Sequence, residues 1–311
     1  MIEMIMRGPA AEYLIRQRVS ALGRALPAPR AGDITSLHRA RVATRRLRAA
    51  IPLVASGAKA GKVSRSVRRL TRALGPVREL DVALLILDEL DRAGDVPPPG
   101  IDRLRASIVE ERERLQAEVR EEIDDFDLDK LRKQALKVAR NAGEDGAPHE
   151  SAAARRERII RRVRRLSATI ENAAGLYLPD RLHEVRIAVK KLRYTVELAG
   201  GRNVARLRLL KRAQDLLGRL HDLEVLIART RGIQSSPGAS TLKVSADLDR
   251  LVRRLETECR QLHGHYMAMR PALLQLCQRL QPRTVGPVPI KDVDHAALPR
   301  LSALAKPPFF C

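Results

Sequence analysis

Tryptophan is absent from this 311-residue chain, and only three Phe and four Tyr are present. Proteins that bind single-stranded nucleic acid stack its bases on aromatic side chains, so a base-reading platform of that kind is missing. Apart from Tyr194, none of the aromatics is interleaved with the basic segments. With so few aromatic rings the core must be made of Leu, Val, Ile and Ala, which suits packed helices. Cysteine is scarce too. Cys259, Cys277 and Cys311 form no C-x-x-C and are odd in number, which argues against a disulfide framework and for a reducing cytoplasm. No run of about 18 apolar residues occurs, so no membrane span is expected, and Met1 to Gly8 is too short and too charged for a signal peptide.

Catalytic and DNA-reading signatures are missing as well. There is no P-loop, no G-x-G-x-x-G opening a βαβ unit, no H-E-x-x-H, and no helix-turn-helix or zinc-finger pattern. His263 and His265, two apart on a helix, point about 200° apart and suit one metal poorly. No Ser or Cys sits in a recognisable nucleophile setting. No catalytic residue, metal or cofactor is therefore assigned. Acidic residues are outnumbered, 37 against 59 Lys and Arg, for a net charge of +22. That excess narrows the partners to nucleic acid, an anionic membrane or an inorganic polyanion. An apolar content of 44% with 31% charged residues fits a folded core rather than a disordered basic tail.

What is present is a repeat. Leu37-His38-Arg39-Ala40-Arg41-Val42-Ala43-Thr44-Arg45-Arg46-Leu47-Arg48 returns as Leu182-His183-Glu184-Val185-Arg186-Ile187-Ala188-Val189-Lys190-Lys191-Leu192-Arg193, an offset of 145 residues (183 − 38). A second motif, Leu74 to Val82, matches Leu217 to Val225 at an offset of 143 (218 − 75), so two motifs share nearly one spacing. This is the mark of an internal duplication. His38, Arg41, Arg45 and Arg48 fall at i, i+3, i+7 and i+10, within about 80° of one helix face. His183, Arg186, Lys190 and Arg193 do the same. Ala43, Leu47, Ala50 and Val54, like Ala188, Leu192 and Val196, form the opposite apolar side of each helix.

Helical periodicity is nearly continuous and no strand pattern persists, so an all-α fold is expected. Breakers place helices over 9–26, 36–56 with a kink at Pro52, 59–74, 77–92, 101–140 broken near 124–129, 152–174, one carrying His183, 204–217, 219–231 and 241–280. The second motif thus predicts a break at Gly75-Pro76 and another at Gly218. Two halves follow, 1–140 and 152–280, joined by a polar linker at 141–151 and trailed by a Pro-rich tail at 281–311.

The neighbouring helix in each half adds charge. Lys62, Arg65, Arg69 and Arg72 repeat the stripe spacing, and Arg208, Lys211 and Arg212 occupy the equivalent stretch. Packing such helices together juxtaposes like charges, which is costly unless an anion neutralises them. The plainer alternative is a solvated Arg-rich face, preferred for Arg161, Arg162, Arg164 and Arg165. Arg suits phosphate because its planar fork donates two parallel hydrogen bonds. His adds a pH-dependent donor, so polyanion binding should strengthen between pH 8 and pH 6. The acidic pairs Glu79/Asp81 and Asp222/Glu224 read as ion-pair partners that hold arginines, with a Mg²⁺ cluster as the alternative.

The chain resembles the CHAD family, the conserved-histidine α-helical domains. The resemblance rests on His38 to Arg48, Leu74 to Val82, Leu182 to Glu197 and Leu216 to Val225, and covers roughly residues 9–280. It implies an all-α fold of two pseudo-twofold-related helical bundles flanking a central basic cleft or pore. It also implies binding of inorganic polyphosphate, and targeting to polyphosphate granules in cells that make them. The implied ligand residues are His38, Arg41, Arg45, Arg48, His183, Arg186, Lys190 and Arg193. Glu79 stands where the family pattern has Asp, and His221 where it has Arg or Asn. The chain has neither the room nor the strand pattern for an attached CYTH domain, so enzymatic activity is not implied. Inorganic polyphosphate is the expected partner, with non-specific nucleic-acid binding or a phosphate-processing enzyme as alternatives.

Overall fold

In the computed structural model the described residues are 9–26, 34–55, 57–141, 152–198, 204–235 and 241–281. They form ten helices and, among these residues, no strand. The first half carries α1 (Pro9–Ala25), α2 (Ile34–Val54), α3 (Ala58–Ala73), α4 (Gly75–Ala93), α5 (Pro98–Asp124) and α6 (Leu128–Asn141). The second carries α7 (Ala152–Asn172), α8 (Pro179–Leu198), α9 (Val204–Gln234) and α10 (Leu242–Leu280). No described helix is long and apolar enough to cross a membrane. Most of the expected linker and tail lies outside the described residues.

Local chemistry explains the boundaries. Pro9 opens α1, where its missing N–H is not needed, and Glu12 and Arg24 complement the helix dipole at its two ends. Pro52 falls in the last turn of α2. Pro76 separates α3 from α4, because it donates no hydrogen bond and its ring excludes the carbonyl four residues earlier. Pro98 and Pro99, which precede the helix expected from residue 101, instead form the first turn of α5. The break before α6 is capped by Asp127, whose Oδ1 accepts from the Lys130 N–H at 2.7 Å. Thr241 caps α10 in the same way, accepting from the Val244 N–H at 3.4 Å.

One expected break does not form. Residues 204–217 and 219–231 belong to a single helix, α9, that runs straight through Gly218. Gly218 is followed by Arg219 rather than proline, so the hydrogen-bond ladder stays intact. A helical glycine costs about 1 kcal/mol against Ala. Burial of Leu217, Leu220 and Leu223 around it outweighs that cost.

The packing order of the halves runs in parallel. Helix α1 packs on α2 and α6, and α2 on α3; α7 packs on α8 and α10, and α8 on α9. Each half has its own core, around Leu22, Leu47 and Leu70 in the first and Leu166, Leu192 and Leu217 in the second. A third core joins them. It sets Leu80, Leu87, Ile101 and Leu104 of α4 and α5 against Leu223, Leu226, Leu248 and Leu255 of α9 and α10. A Cβ on Gly100 would lie 2.9 Å from the Asp247 Cβ, so the glycine lets α5 and α10 approach closely.

The seam around this third core collects ion pairs. Arg219 of α9 bonds Glu89 of α4 at 2.7 Å and Glu258 of α10 at 2.9 Å. Arg229 pairs with Glu111 of α5, and Arg254 of α10 with Asp95 at 3.1 Å. Asp81 is wholly buried, and its Oδ1 accepts from the Arg112 Nε at 2.8 Å. Its other oxygen has no partner. Removing the carboxylate would take from the largely buried Arg112 guanidinium the charge that its Nε faces. Asp81→Ala is expected to lower unfolding free energy by about 3 kcal/mol. The double change Asp81→Leu/Arg112→Met is expected to recover most of that loss. Urea denaturation of both variants checks this.

Candidate anion-binding cleft

The two basic stripes face each other. Arg45 of α2 lies over the Tyr194 ring of α8, with its guanidinium carbon 5.3 Å from the ring centroid. Arg193, on the same helix as Tyr194, lies over that ring at 4.6 Å. Arg45 and Arg48 are among the charges that bear on Lys190. The helices α2 and α8 are not themselves packed together. Their cationic faces therefore meet through long side chains rather than through close helix packing.

The surrounding wall is also cationic. Arg48 feels Arg68 and Arg72 of α3 as well as Arg45. His38 feels Arg78 of α4, then Arg45 and Arg41. Gly75 makes room here: a Cβ on it would come 3.3 Å from Arg41 Nη1, so the Arg41 guanidinium lies close against the start of α4. On the other side, the His183 and His221 rings are 4.7 Å apart, next to Arg186 and Lys190. Among the described residues, none of Arg45, Arg48, Arg68, Arg72, Arg186 and Lys190 has a carboxylate within ion-pair distance.

This crowding shifts the ionisable groups. Burial, reinforced by neighbouring cations, lowers Arg48 and Lys190. Burial also lowers Arg41, with Glu79 opposing and Arg78 and Arg45 adding to it. His38 is lowered by burial and then by Arg78, Arg45 and Arg41. His183 is lowered by burial, Arg186 and Lys190, against a partial offset from Asp180 and Glu184. His221 is pushed down to about 4 by burial, Arg186, His183 and Lys190. His38, His183 and His221 are thus biased toward their neutral forms. Lowered free-state values extend the window for proton-linked binding toward lower pH.

The acids of the two break motifs divide their roles. Asp222 sits among Arg186, Arg78 and Arg219, and burial raises its pKa in spite of them. Glu79 stands beside Arg41. Asp81 serves the seam through Arg112. Glu224 holds no arginine: its Oε1 accepts from the Tyr177 hydroxyl at 2.7 Å. Among the described residues no group of three or more His, Cys, Asp or Glu is placed to hold a metal.

His38, Arg41, Arg45, Arg48, Arg72, His183, Arg186 and Lys190 are thus brought together. Arg193 borders the opening but is already engaged, by Gln214 at 2.9 Å and by Glu197. Arg69 is tied to Glu122 of α5, and Lys211 to Asp215 at 2.6 Å. Lys62, Arg65, Arg208 and Arg212 are exposed and enter none of these charge clusters. Arg68, Arg78, Tyr194 and His221 belong to the cleft and escaped the sequence reading. Arg68 is one residue, about 100°, from the register chosen on α3. Arg78 and His221 lie inside the second motif, at positions whose spacing along one helix does not reveal what they face.

The sign of the imidazole shifts sets a pH dependence. An unfolded His takes up its proton near pH 6.5, whereas the folded values lie lower. The unfolded state therefore binds more protons below about 6.5, and stability falls as pH drops toward about 4, the value for His221. Raised Asp222 and Glu224 act in the opposite sense at the acidic end. The ligand-free thermal midpoint is expected to fall between about pH 7 and pH 5, and to fall less in His221→Gln. Calorimetric scans across that range test both.

Comparisons with known proteins agree with this architecture. The chain superimposes on the crystal structure of the CHAD domain from the plant Ricinus communis, with a TM-score of 0.63 and 19% identity over 90% of this chain and 95% of that one. It superimposes on PptA from Streptomyces chartreusis with a TM-score of 0.60 and 15% identity, over 86% of this chain and 98% of that one. At such identities the likeness is one of fold. No curated protein matches the chain. The CHAD domain family model matches residues 13–231, well over half the chain, and the protein belongs to the CHAD family.

Proposed function

We propose that the protein is a non-catalytic binder of inorganic polyphosphate and associates with polyphosphate granules in cells that make them. The observation that carries this reading is the convergence of Arg45 and Arg48 from one half with Lys190 from the other. No carboxylate partners them among the described residues. A flexible chain with about one charge per phosphate and no bases suits such a cleft. It would relieve the repulsion among the cations and satisfy donors on both walls at once. The Tyr194 ring already carries two guanidinium groups and is a poor stacking platform for a base. That favours polyphosphate over single-stranded nucleic acid.

Binding should depend on chain length, because both halves must be engaged together. Pyrophosphate should bind weakly, and equal affinity for pyrophosphate and long chains would sink the cleft reading. Arg45→Ala/Lys190→Ala is expected to weaken long-chain binding at least tenfold while helicity stays unchanged. Its salt slope should fall by about 1.4, from about 0.7 for each phosphate that is no longer neutralised, taking single-stranded nucleic acid as the guide. Calorimetry at several salt concentrations, with charge-matched duplex DNA as competitor, measures these. Preferential DNA binding would replace the reading with a general nucleic-acid patch. Release of orthophosphate in the presence of Mg²⁺ would replace it with a phosphate-processing enzyme.

A further inference from the structure

A second basic surface lies on the other flank of α2. Between α1 and α2 runs a groove of about 610 Å³, lined by Arg18 and Arg24 of α1 and by His38, Arg39 and Arg46 of α2. Its floor is made of small side chains, Ala21, Ala25 and Ala43, which leave open the space that larger residues would fill. The volume lies in the range of small-molecule sites. Among the described residues no carboxylate lines it, and Arg18, Arg24 and Arg46 have no ion-pair partner.

Helix geometry places this groove next to the central cleft. With His38 as reference and about 100° per residue, Arg41, Arg45 and Arg48 fall at about 280–340°. Arg39, Val42 and Arg46 fall at about 40–100°, and buried Leu37, Ala40, Leu47 and Ile51 at about 180–260°. So α2 has an apolar face and two cationic faces, with His38 on the border between the latter. His38 lines the groove while feeling Arg78, Arg45 and Arg41 of the cleft.

The second half supplies an internal comparison. At the same offset of 145, Arg39 is replaced by Glu184, Val42 by the larger Ile187 and Arg46 by Lys191. Glu184 stands 3.9 Å from Arg165 of α7. At these positions the second half has a larger side chain, Ile187, and a carboxylate answered by an arginine. The repeat thus keeps the inward stripe in both halves, while on the outer flank the cation at Arg39 gives way to a carboxylate and the one at Arg46 is kept as Lys191.

We propose that the α1–α2 groove is a second anion-binding site, one that holds a short run of phosphates continuous, through His38, with those in the central cleft. The Arg forks suit terminal or bridging phosphate oxygens, and the alanine floor shelters them from water. Occupancy of both sites would make this outer groove the exit for one end of a bound chain. This rests on the polyphosphate reading of the cleft, and the experiment separates the two.

The probe is inorganic tripolyphosphate, titrated calorimetrically into the full chain. Two molecules are expected per wild-type chain, one in each site. Arg18→Ala/Arg24→Ala/Arg46→Ala should keep one, and bind long polyphosphate at least tenfold more weakly. Arg39→Glu, which copies the second repeat, should lose the same site with a single change. Removing equal charge elsewhere, by Arg156→Ala/Arg161→Ala/Arg164→Ala on α7, should leave both sites, with circular dichroism confirming the fold of each variant. Two sites retained in the groove variants, or equal losses in the α7 control, would overturn the proposal. Arg45→Ala/Lys190→Ala separates the readings. If it keeps the groove site alone, both stand. If it keeps both sites, the central cleft fails while the groove stands. If it loses both while the groove variants lose neither, the groove fails and the cleft stands. A wild type that binds no tripolyphosphate overturns the groove outright.

Discussion

Mutual repulsion among the cations of the cleft is the constraint on which the rest of the molecule depends. Two unit charges about 5 Å apart repel by about 3 kcal/mol at an effective dielectric of 20. Arg45, Arg48, Arg68, Arg72 and Lys190 crowd one opening and have no carboxylate partner among the described residues. Such a cluster persists only if something stronger holds its supports in place. Three apolar cores do so, one in each half and one between them. The third is decisive, because it sets one half, with its stripe, against the other.

Charge is segregated to the same end. The seam holds acids and bases in matched pairs: Arg219 with Glu89 and Glu258, Arg229 with Glu111, Arg254 with Asp95, and the buried Asp81 with Arg112. The cleft holds an excess of bases, and the acids Glu79 and Asp222 lie among arginines. Pairing at the seam binds the halves together, and its absence in the cleft leaves donors for a ligand. Burial and neighbouring cations bias the imidazoles and Lys190 toward their neutral forms. An anion that restores those charges would bind with proton uptake.

The duplication has diverged where its two copies do different work. Pro76 breaks the first copy into α3 and α4, which carries Arg78 to His38. The second copy keeps Gly218 without proline and continues as α9, spanning its own core and the seam. On the outer flank the copies differ again at Arg39 and Glu184. The stripe residues are the part the copies share.

The all-α class, the positions of most helix ends and the two stripes were legible in the sequence. Each depends on local properties: 3.6-residue periodicity, the missing N–H of proline, and the spacing of cations along one helix. The helix through Gly218 was not legible, because burial of Leu217 and Leu220 from other helices overrides the weak local preference of one glycine. Nor was it legible that Arg68 rather than Arg69 turns to the cleft, since one residue of register is settled only by what α3 packs against. The pairing of Asp81 with Arg112, the clasp of Arg45 on Tyr194 and the meeting of His183 with His221 bring together residues remote in the chain. The sequence by itself determined which helices would carry charge. The tertiary structure alone decided which charges meet, because that depends on how the third core sets one half against the other.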